Sequence, residues 1–185
     1  VNMANILTVY YSKKGENYFD GKIKSISKGN TEIIAEMIQK NVGGDIFEID
    51  RAIPYPNNYK ECVKESVKEM KENARPKLKE YLDNLDKYDT IFVGYPSWCG
   101  TMPMVLFSFL ENYDLESKTI IPFCTNEGSG MGSSEADLRR ICKGAKVLDG
   151  LSIKGSEASK SEEIVSKWAK QRASLKLNKI KTYKL

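Results

Sequence analysis

The sequence predicts an α/β protein built on a doubly wound, five-stranded parallel sheet flanked by helices. Short runs rich in β-branched and aromatic residues alternate with longer segments of helical periodicity. This alternation is typical of βαβ units with right-handed crossovers. The 185 residues show no internal repeat and no linker, so we expect residues 1–185 to form one domain. The pattern also indicates an insert at about residues 14–27 and a tail from about residue 173 that it does not place.

The first part of the chain predicts a strand, a helix and a second strand. Residues 5–11 are a run of β-forming residues, and from Thr31 apolar residues recur at helical spacing until Gly43. Residues 45–49 alternate between polar and apolar types, which indicates a strand near the edge of the sheet. A charged segment follows that predicts a helix ending before Pro76. Its apolar positions share one helical face: Tyr59, Val63, Val67 and Met70.

The next part continues the alternation of strands and helices. Residues 90–95 predict a buried strand that ends at Pro96, since proline cannot continue a central strand. Pro103 then begins a short, well-buried helix, because the missing N–H costs nothing in a helix's first turn. Residues 118–124 and 145–153 predict the fourth and fifth strands.

Two further helices accompany the last strands. The first is led by Ser133 or Ser134, and the second starts with a capping box formed by Ser159 and Glu162. The apolar positions expected on one face of that last helix are Ile164, Val165 and Trp168.

The composition limits the chemistry that side chains can perform. No histidine is present, which excludes histidine-based triads and most zinc hydrolase sites. The four cysteines form no Cys-x-x-Cys pair and suit a reducing cytosol, so we expect a cytoplasmic protein. We therefore expect a bound cofactor to supply any chemistry, with no metal site and no catalytic side chain.

The charge pattern argues against two classes of partner. The net charge is +4, and the lysines are interleaved with acidic residues rather than gathered in a basic stripe. We therefore expect no nucleic-acid partner. No apolar run approaches the roughly 20 residues of a membrane helix and no signal-like segment opens the sequence, so we expect no membrane partner.

Three predicted strand-to-helix turns carry unusual residues and should meet at one edge of the sheet. The first joins Ser12 and Lys13, across the insert, to Gly29, Asn30 and Thr31 at the start of a helix. Hydroxyls, an amide and free N–H groups at a helix start can bind a phosphate, although the Walker spacing is absent. A plain helix cap would have the same residues.

The other two turns could hold a flat ring. The second consists of Pro96, Ser97, Trp98, Cys99 and Gly100, and the third of Thr125, Asn126, Glu127, Gly128, Ser129 and Gly130. Trp98 suits the stacking of another ring, or it is a core residue in an ordinary turn. The glycines of the third turn allow backbone to pass close to a ligand, or indicate a mobile surface loop.

Taken together, these turns resemble the cofactor loops of the flavodoxin family, and the likeness covers most of the chain. Ser12 and Lys13, joined to residues 28–31, are similar to the family's phosphate loop with an insert. The Trp98 loop is similar to the one that lays an aromatic ring against the isoalloxazine, and residues 125–130 to the one that brackets the same ring. The resemblance implies the short-chain form with one non-covalently bound FMN.

The chain departs from the family pattern at three points. The insert carries Asp20 and Gly21 between short β-forming runs, which predicts a small hairpin near the phosphate or the dimethylbenzene side; a disordered insert is the alternative. Cys99 stands where many relatives have a second bulky residue, which leaves the second stacking partner open. The peptide at Cys99 and Gly100 is implied to contact the flavin N5. Flavodoxins are often strongly acidic, whereas this chain is slightly basic.

The resemblance implies an electron carrier between redox partner proteins, a reductase and an acceptor, that acts as a monomer or weak dimer. The alternative is an FMN-dependent NAD(P)H oxidoreductase acting on quinones or related acceptors, with the insert as a roof over the site. A third possibility is a flavin-free binding module that retains the fold.

Overall fold

A parallel sheet lies at the centre of the computed structural model, which describes residues 5–182, with side chains through residue 174. The last residues of the predicted tail, 183–185, lie outside the described residues. The strands are β1 (Ile6–Tyr10), β2 (Gly15–Phe19), β3 (Lys22–Ile26), β4 (Asp45–Glu48), β5 (Thr90–Pro96), β6 (Thr119–Asn126), β7 (Lys146–Val147) and β8 (Leu151–Lys154). The helices are α1 (Asn30–Val42), α2 (Tyr59–Lys71), α3 (Met104–Leu110), α4 (Ser134–Ile141) and α5 (Glu162–Thr182).

The strand order of the central sheet is β4-β1-β5-β6-β7, and β8 also pairs with β6, further along that strand than β7 does. All pairs in this sheet are parallel. The order reverses between β1 and β5, which defines the topological switch point where doubly wound sheets bind ligands. The predicted fold class is therefore confirmed, with β4 at the edge as expected.

Alternate residues of the central strands face two apolar clusters, one on each side of the sheet. In β5, Ile91 and Val93 belong to one cluster and Phe92 to the other, because successive side chains of a strand point to opposite faces. Helices α3 and α4 contribute to the first cluster, and α1 and α5 to the second. Both faces of the sheet are thus covered by helices.

The predicted fifth strand, residues 145–153, is wrong as one continuous element, because it is divided into β7 and β8. The division lies beside Pro122 in the middle of β6. The Ile120 carbonyl accepts the N–H of Leu148 at 2.9 Å. Alternate residues of a strand direct their backbone groups to the same neighbouring strand, so the backbone of residue 122 faces this side as well. Pro122 has no N–H to donate there, so the pairing is interrupted. A proline thus does occur inside a central strand, at the point where the pairing of β6 with its neighbour is interrupted.

The predicted capping box of the last helix is also wrong. Ser159 lies inside a 3-10 turn (Gly155–Lys160), and α5 begins at Glu162. Ser161 lies immediately before the helix, and its carbonyl accepts the N–H of Val165 at 2.9 Å. Its hydroxyl donates back to the Ala158 carbonyl at 2.6 Å and so closes the 3-10 turn.

The predicted apolar face of α5 is correct only in part. Val165 and Trp168 are buried, whereas Ile164 is 61% exposed. Adjacent residues of a helix point in directions about 100° apart, so Ile164 cannot share the buried direction of Val165. No helix among the described residues has the length and apolarity needed to cross a membrane.

Candidate functional site

A cavity of about 450 Å³ lies where the loops that follow β1, β5 and β6 meet. Residues of all three predicted loops line it: Lys13, Asn30, Thr31, Pro96, Ser97, Trp98, Cys99, Thr125, Asn126, Glu127 and Ser129. Five other predicted site residues do not line it and belong to the backbone framework of the same loops: Ser12, Gly29, Gly100, Gly128 and Gly130. The convergence that the sequence predicts is therefore present in the structure.

The first loop is closed across the insert by a hydrogen bond. The Ser12 hydroxyl accepts the N–H of Glu32 at 3.0 Å and thereby caps α1. Gly29 lies so close to this hydroxyl that a Cβ atom there would come within 2.0 Å of Ser12 Oγ. Glycine is required at this position because the chain segments before and after the insert come into direct contact here.

A buried hydroxyl pair joins the first loop to the third. Thr31 Oγ1 and Thr125 Oγ1 lie 2.7 Å apart, and both side chains are buried. The start of α1 is thus held against the end of β6. This contact sets the spacing between the candidate phosphate loop and one candidate ring loop.

Lys13 places a cation at the wall of the cavity. Its Nζ donates to the Lys14 carbonyl at 2.7 Å and approaches the Asn57 carbonyl at 3.5 Å. Burial lowers the pKa of Lys13 below the usual lysine value, because desolvation disfavours the charged form. An ammonium group near the start of a helix favours an anionic ligand.

Trp98 packs against the core and also borders the cavity. Its ring makes edge-to-face contacts with Tyr11 and Tyr55, at centroid distances of 5.3 and 4.9 Å, and it also lines the cavity. Behind it, the Arg51 guanidinium lies 3.7 Å from the centroid of the Tyr55 ring. The Tyr55 hydroxyl donates to Glu69 at 2.5 Å. Trp98 is therefore a ring that the core supports and that borders the cavity, so a stacking role stays a prediction.

The Trp98 loop ends in a tight turn with unusual backbone angles. Cys99 and Gly100 have φ values of 53° and 75°, and the N–H groups of Trp98 and Thr101 bond to each other's carbonyls at 2.9 and 3.1 Å. Positive φ at both central residues is the pattern of a type I′ turn. A non-glycine residue in this region is strained by about 1–2 kcal/mol, and such strain concentrates at functional sites.

The third loop is organised by the side chain of Asn126. Its Oδ1 accepts the N–H groups of Gly128 and Gly130, each at 3.0 Å, and its Nδ2 donates to Ser152 Oγ at 2.8 Å. The loop is also joined to the Trp98 loop, since the Ser97 N–H donates to the Thr125 carbonyl at 2.9 Å. These bonds hold the glycines in place and argue against a mobile surface loop; a ligand contact of the glycines stays a prediction.

The insert forms the predicted hairpin, so a disordered insert is excluded. Strands β2 and β3 pair antiparallel, and their turn has φ values of 50° at Asp20 and 80° at Gly21, as a type I′ hairpin turn requires. The tip contacts the third loop, because the Asp20 N–H donates to Glu127 Oε1 at 3.3 Å. The Asp20 carboxylate also lies 3.6 Å from Lys154 Nζ.

The base of the hairpin is held by α2. The Glu16 carboxylate accepts the N–H of Tyr59 at 2.8 Å, which satisfies a free donor at the start of that helix. Together with the tip contacts, this bond shows that the hairpin extends from α2 to the loop after β6. It lies beside the cavity along this path and contributes Glu16, Asn17 and Tyr18 to its lining.

The predicted apolar face of α2 does not lie in the core. Val63 and Met70 are 40% and 37% exposed, and the buried residues of the helix are Cys62 and Ser66. The cavity-lining residues that sequence reasoning missed come mainly from this helix and the hairpin: Glu16, Asn17, Tyr18, Tyr59, Cys62, Val63, Ser66, Val67 and Gly155. The helical stripe was visible in the sequence, but what it faces is decided by tertiary structure.

Two kinds of reactive group are not found at the cavity among the described residues: a metal-ligating cluster and an ionised Cys62 thiolate. Between residues 5 and 182 no group of His, Cys, Asp or Glu side chains could hold a metal ion. Burial raises the pKa of the Cys62 thiol to about 11, so this cavity-lining thiol is protonated at neutral pH. The lining of the cavity includes a ring surface, a helix start and a cation.

These features define a doubly wound α/β protein with a candidate cofactor site at its switch point. The chain matches the flavodoxin family over residues 22–172, and it belongs to that family. A comparison with curated proteins finds no significant match.

Solved structures share the fold over nearly the whole chain. A protein assigned as a flavoprotein from Bacteroides uniformis is 28% identical with a TM-score of 0.72, over 90% of this chain and 98% of the other. A second protein assigned as a flavoprotein, from Bacteroides eggerthii, is 26% identical with a TM-score of 0.67, over 88% of this chain and 98% of the other. A Lactobacillus acidophilus flavoprotein solved in complex with FMN is 21% identical with a TM-score of 0.60, over 85% and 97%, and shows the fold alone.

Proposed function

We propose that this chain binds one FMN in the cavity and carries electrons between redox partner proteins. The observation that carries the proposal is the convergence of three loops, with a helix start, an indole ring and a hydrogen-bonded glycine loop, on one cavity of about 450 Å³. Family membership and the FMN complex of the Lactobacillus acidophilus relative support this cofactor.

The first loop fits a phosphate group. The first N–H groups of a helix have no partner within it, and Asn30 and Thr31, in the first turn of α1, line the cavity. Lys13 adds a positive charge, and the missing Cβ of Gly29 leaves room for Ser12 to close the loop. These residues would hold the phosphate, and Ser12 would keep their backbone in place.

The second and third loops fit the isoalloxazine ring. Trp98 would provide the stacking surface, and the turn at Cys99 and Gly100 would bring backbone groups to its edge. The Asn126 loop would lie along the same ring. When bound, FMN supplies one- and two-electron transfer, and the protein tunes it by stacking, hydrogen bonding and charge.

Electron carriage is favoured by an accessible rim and by the charge around it. Cys99, Gly100, Gly128 and Ser129 are exposed, so an edge of a ring held by these loops would be open to a partner. Exposed lysines lie on the insert and on α2, among them Lys14, Lys22, Lys24, Lys60 and Lys64, interleaved with exposed carboxylates such as Asp20 and Glu61. The charge of the whole chain is +4, so a redox partner with an acidic face would be attracted, with association that weakens as salt rises.

A second function is favoured by the hairpin. Because it extends from α2 to the third loop beside the cavity, it could restrict water at a bound acceptor, as an FMN-dependent NAD(P)H oxidoreductase acting on quinones would require. This candidate uses the same cofactor site.

The absorbance spectrum of the purified protein tests the cofactor. We expect a flavin spectrum with one FMN released per chain, or its appearance after addition of FMN. A protein whose spectrum and melting temperature do not change with excess FMN would overturn the proposal. Steady NADPH oxidation with a quinone at about 1 s⁻¹ or faster would favour the oxidoreductase over the carrier. Slow NADPH oxidation together with rapid reduction by a separate reductase would support the carrier.

A further inference from the structure

The cavity lacks an aromatic ring on one of its expected sides. The loop from Asn126 to Gly130 contains no aromatic or branched apolar side chain, although this loop is expected to bracket a bound ring. Its hydrogen bonds to the Asn126 amide give it a polar, backbone-lined surface. If a flat cofactor has a second apolar contact here, another element must supply it.

Two further aromatic side chains line the cavity in the described part of the chain. They are Tyr18 of β2 and Tyr59 at the start of α2. Their ring centroids lie 6.4 Å apart with an angle of 33° between the planes. This arrangement is close enough for the rings to act as one surface.

The tyrosine pair is held in place by the polar contacts of the insert. Glu16, two residues before Tyr18, accepts the backbone N–H of Tyr59 at 2.8 Å. Between them, Asn17 Nδ2 donates to the Lys13 carbonyl at 2.8 Å. These bonds join β2 both to α2 and to the first loop, so the two rings have a defined position relative to the phosphate loop.

Helix α2 extends this surface along the cavity. Val63 and Val67 follow Tyr59 at intervals of one helical turn and also line the cavity. The buried positions of the helix are the small residues Cys62 and Ser66. With Tyr18 47% exposed and Val63 40% exposed, this is an apolar surface in a concave site, and its burial would be favourable.

We propose that the inserted hairpin and α2 form a second ring-binding wall of the cofactor site, with Tyr18 and Tyr59 as its aromatic residues. The wall takes the place of an aromatic residue in the third loop. This inference rests on the proposed binding of FMN, and it makes the insert a part of the cofactor site. The ligand class of the wall is a flat aromatic ring system, the isoalloxazine.

Flavin titrations of Tyr18 variants test this inference, with Ile23 as the matched control. Ile23 pairs directly with Tyr18 across the hairpin and is 48% exposed, but it does not line the cavity. We expect Tyr18→Ala to weaken the binding of FMN and of riboflavin about tenfold each, since both have the same ring. Tyr18→Phe should stay within about twofold of wild type, because the ring is kept, and Ile23→Ala should bind both flavins as wild type does.

A second variant, on α2, separates the loss of an aromatic ring from disruption of the hairpin. Tyr59→Ala changes the same wall from α2 and should also weaken both flavins about tenfold. Wild-type affinity in both Tyr18→Ala and Tyr59→Ala would overturn the inference. So would a loss of FMN binding with riboflavin binding unchanged, because that result would place the tyrosines at the phosphate end. A wild-type protein that binds neither flavin would overturn the proposed function itself.

Discussion

The hydroxyl pair between Thr31 and Thr125 makes a prediction about both stability and the site. The two Oγ1 atoms lie 2.7 Å apart in a buried environment. Replacing either threonine with valine keeps the shape but leaves the other hydroxyl without this partner. An unpaired buried polar group costs about 1–3 kcal/mol, so we expect Thr31→Val and Thr125→Val each to lower the free energy of unfolding by about that amount.

The double variant and a matched control make the prediction specific. With both hydroxyls removed no buried group is left unpaired, so the double variant should lose clearly less than the sum of the single variants, by about 1 kcal/mol or more. Thr8 provides the control, because its buried Oγ1 has no hydrogen-bond partner among the described residues. Thr8→Val should leave the free energy of unfolding unchanged or raise it.

Urea unfolding of the apoprotein measures these differences directly. Additive losses in the double variant, or single variants as stable as wild type, would refute the pairing argument. The same variants report on the ligand, since Thr31→Val should weaken FMN binding more than riboflavin binding if Thr31 contacts the phosphate.

Three further predictions concern other residues of the site. Trp98→Ala should weaken FMN binding by about 1–3 kcal/mol, through the loss of a stacked and partly buried ring; an unchanged dissociation constant would make Trp98 a core residue only. Gly29→Ala should destabilise the apoprotein by about 1–2 kcal/mol in urea unfolding, because its Cβ would displace the Ser12 cap, and adding Ser12→Ala should cost little more. Burial lowers the pKa of Lys13, so the cation should be lost as pH rises toward the ordinary lysine range, and the ratio of FMN affinity to riboflavin affinity should then fall. Lys13→Met should abolish this pH dependence. A ratio that does not change with pH in the wild-type protein would contradict the prediction.

The parts of the fold that depend on local chemistry could be predicted from the sequence. The alternation of strands and helices identified the sheet, since each element carries its own periodicity. The hairpin turn was predictable because Asp20 and Gly21 both tolerate positive φ. The convergence of the three loops followed from topology, as the carboxyl ends of parallel strands meet at one edge.

The parts that depend on neighbouring elements could not be predicted. The division between β7 and β8 is associated with Pro122 in the adjacent strand, and within residues 145–153 only Asp149 and Gly150 indicate a break. The capping box expected at Ser159 and Glu162 is absent because residues 155–160 form a 3-10 turn, which the local pattern did not indicate. Helical spacing showed that Tyr59, Val63 and Val67 share a face, but only the packing of the hairpin and the Trp98 loop showed that this face lines a cavity.

Titration of the apoprotein with FMN, followed by tryptophan and flavin fluorescence, tests the central claim most directly. The chain has two tryptophans; Trp98 lines the cavity, and Trp168 is buried in the apolar cluster on the other side of the sheet. We expect saturation at one FMN per chain, weaker binding of riboflavin, and a quenching of tryptophan emission that is mostly lost in Trp98→Phe. No change in either emission at excess FMN, or equal quenching in wild type and Trp98→Phe, would contradict the assignment of this cavity as the FMN site.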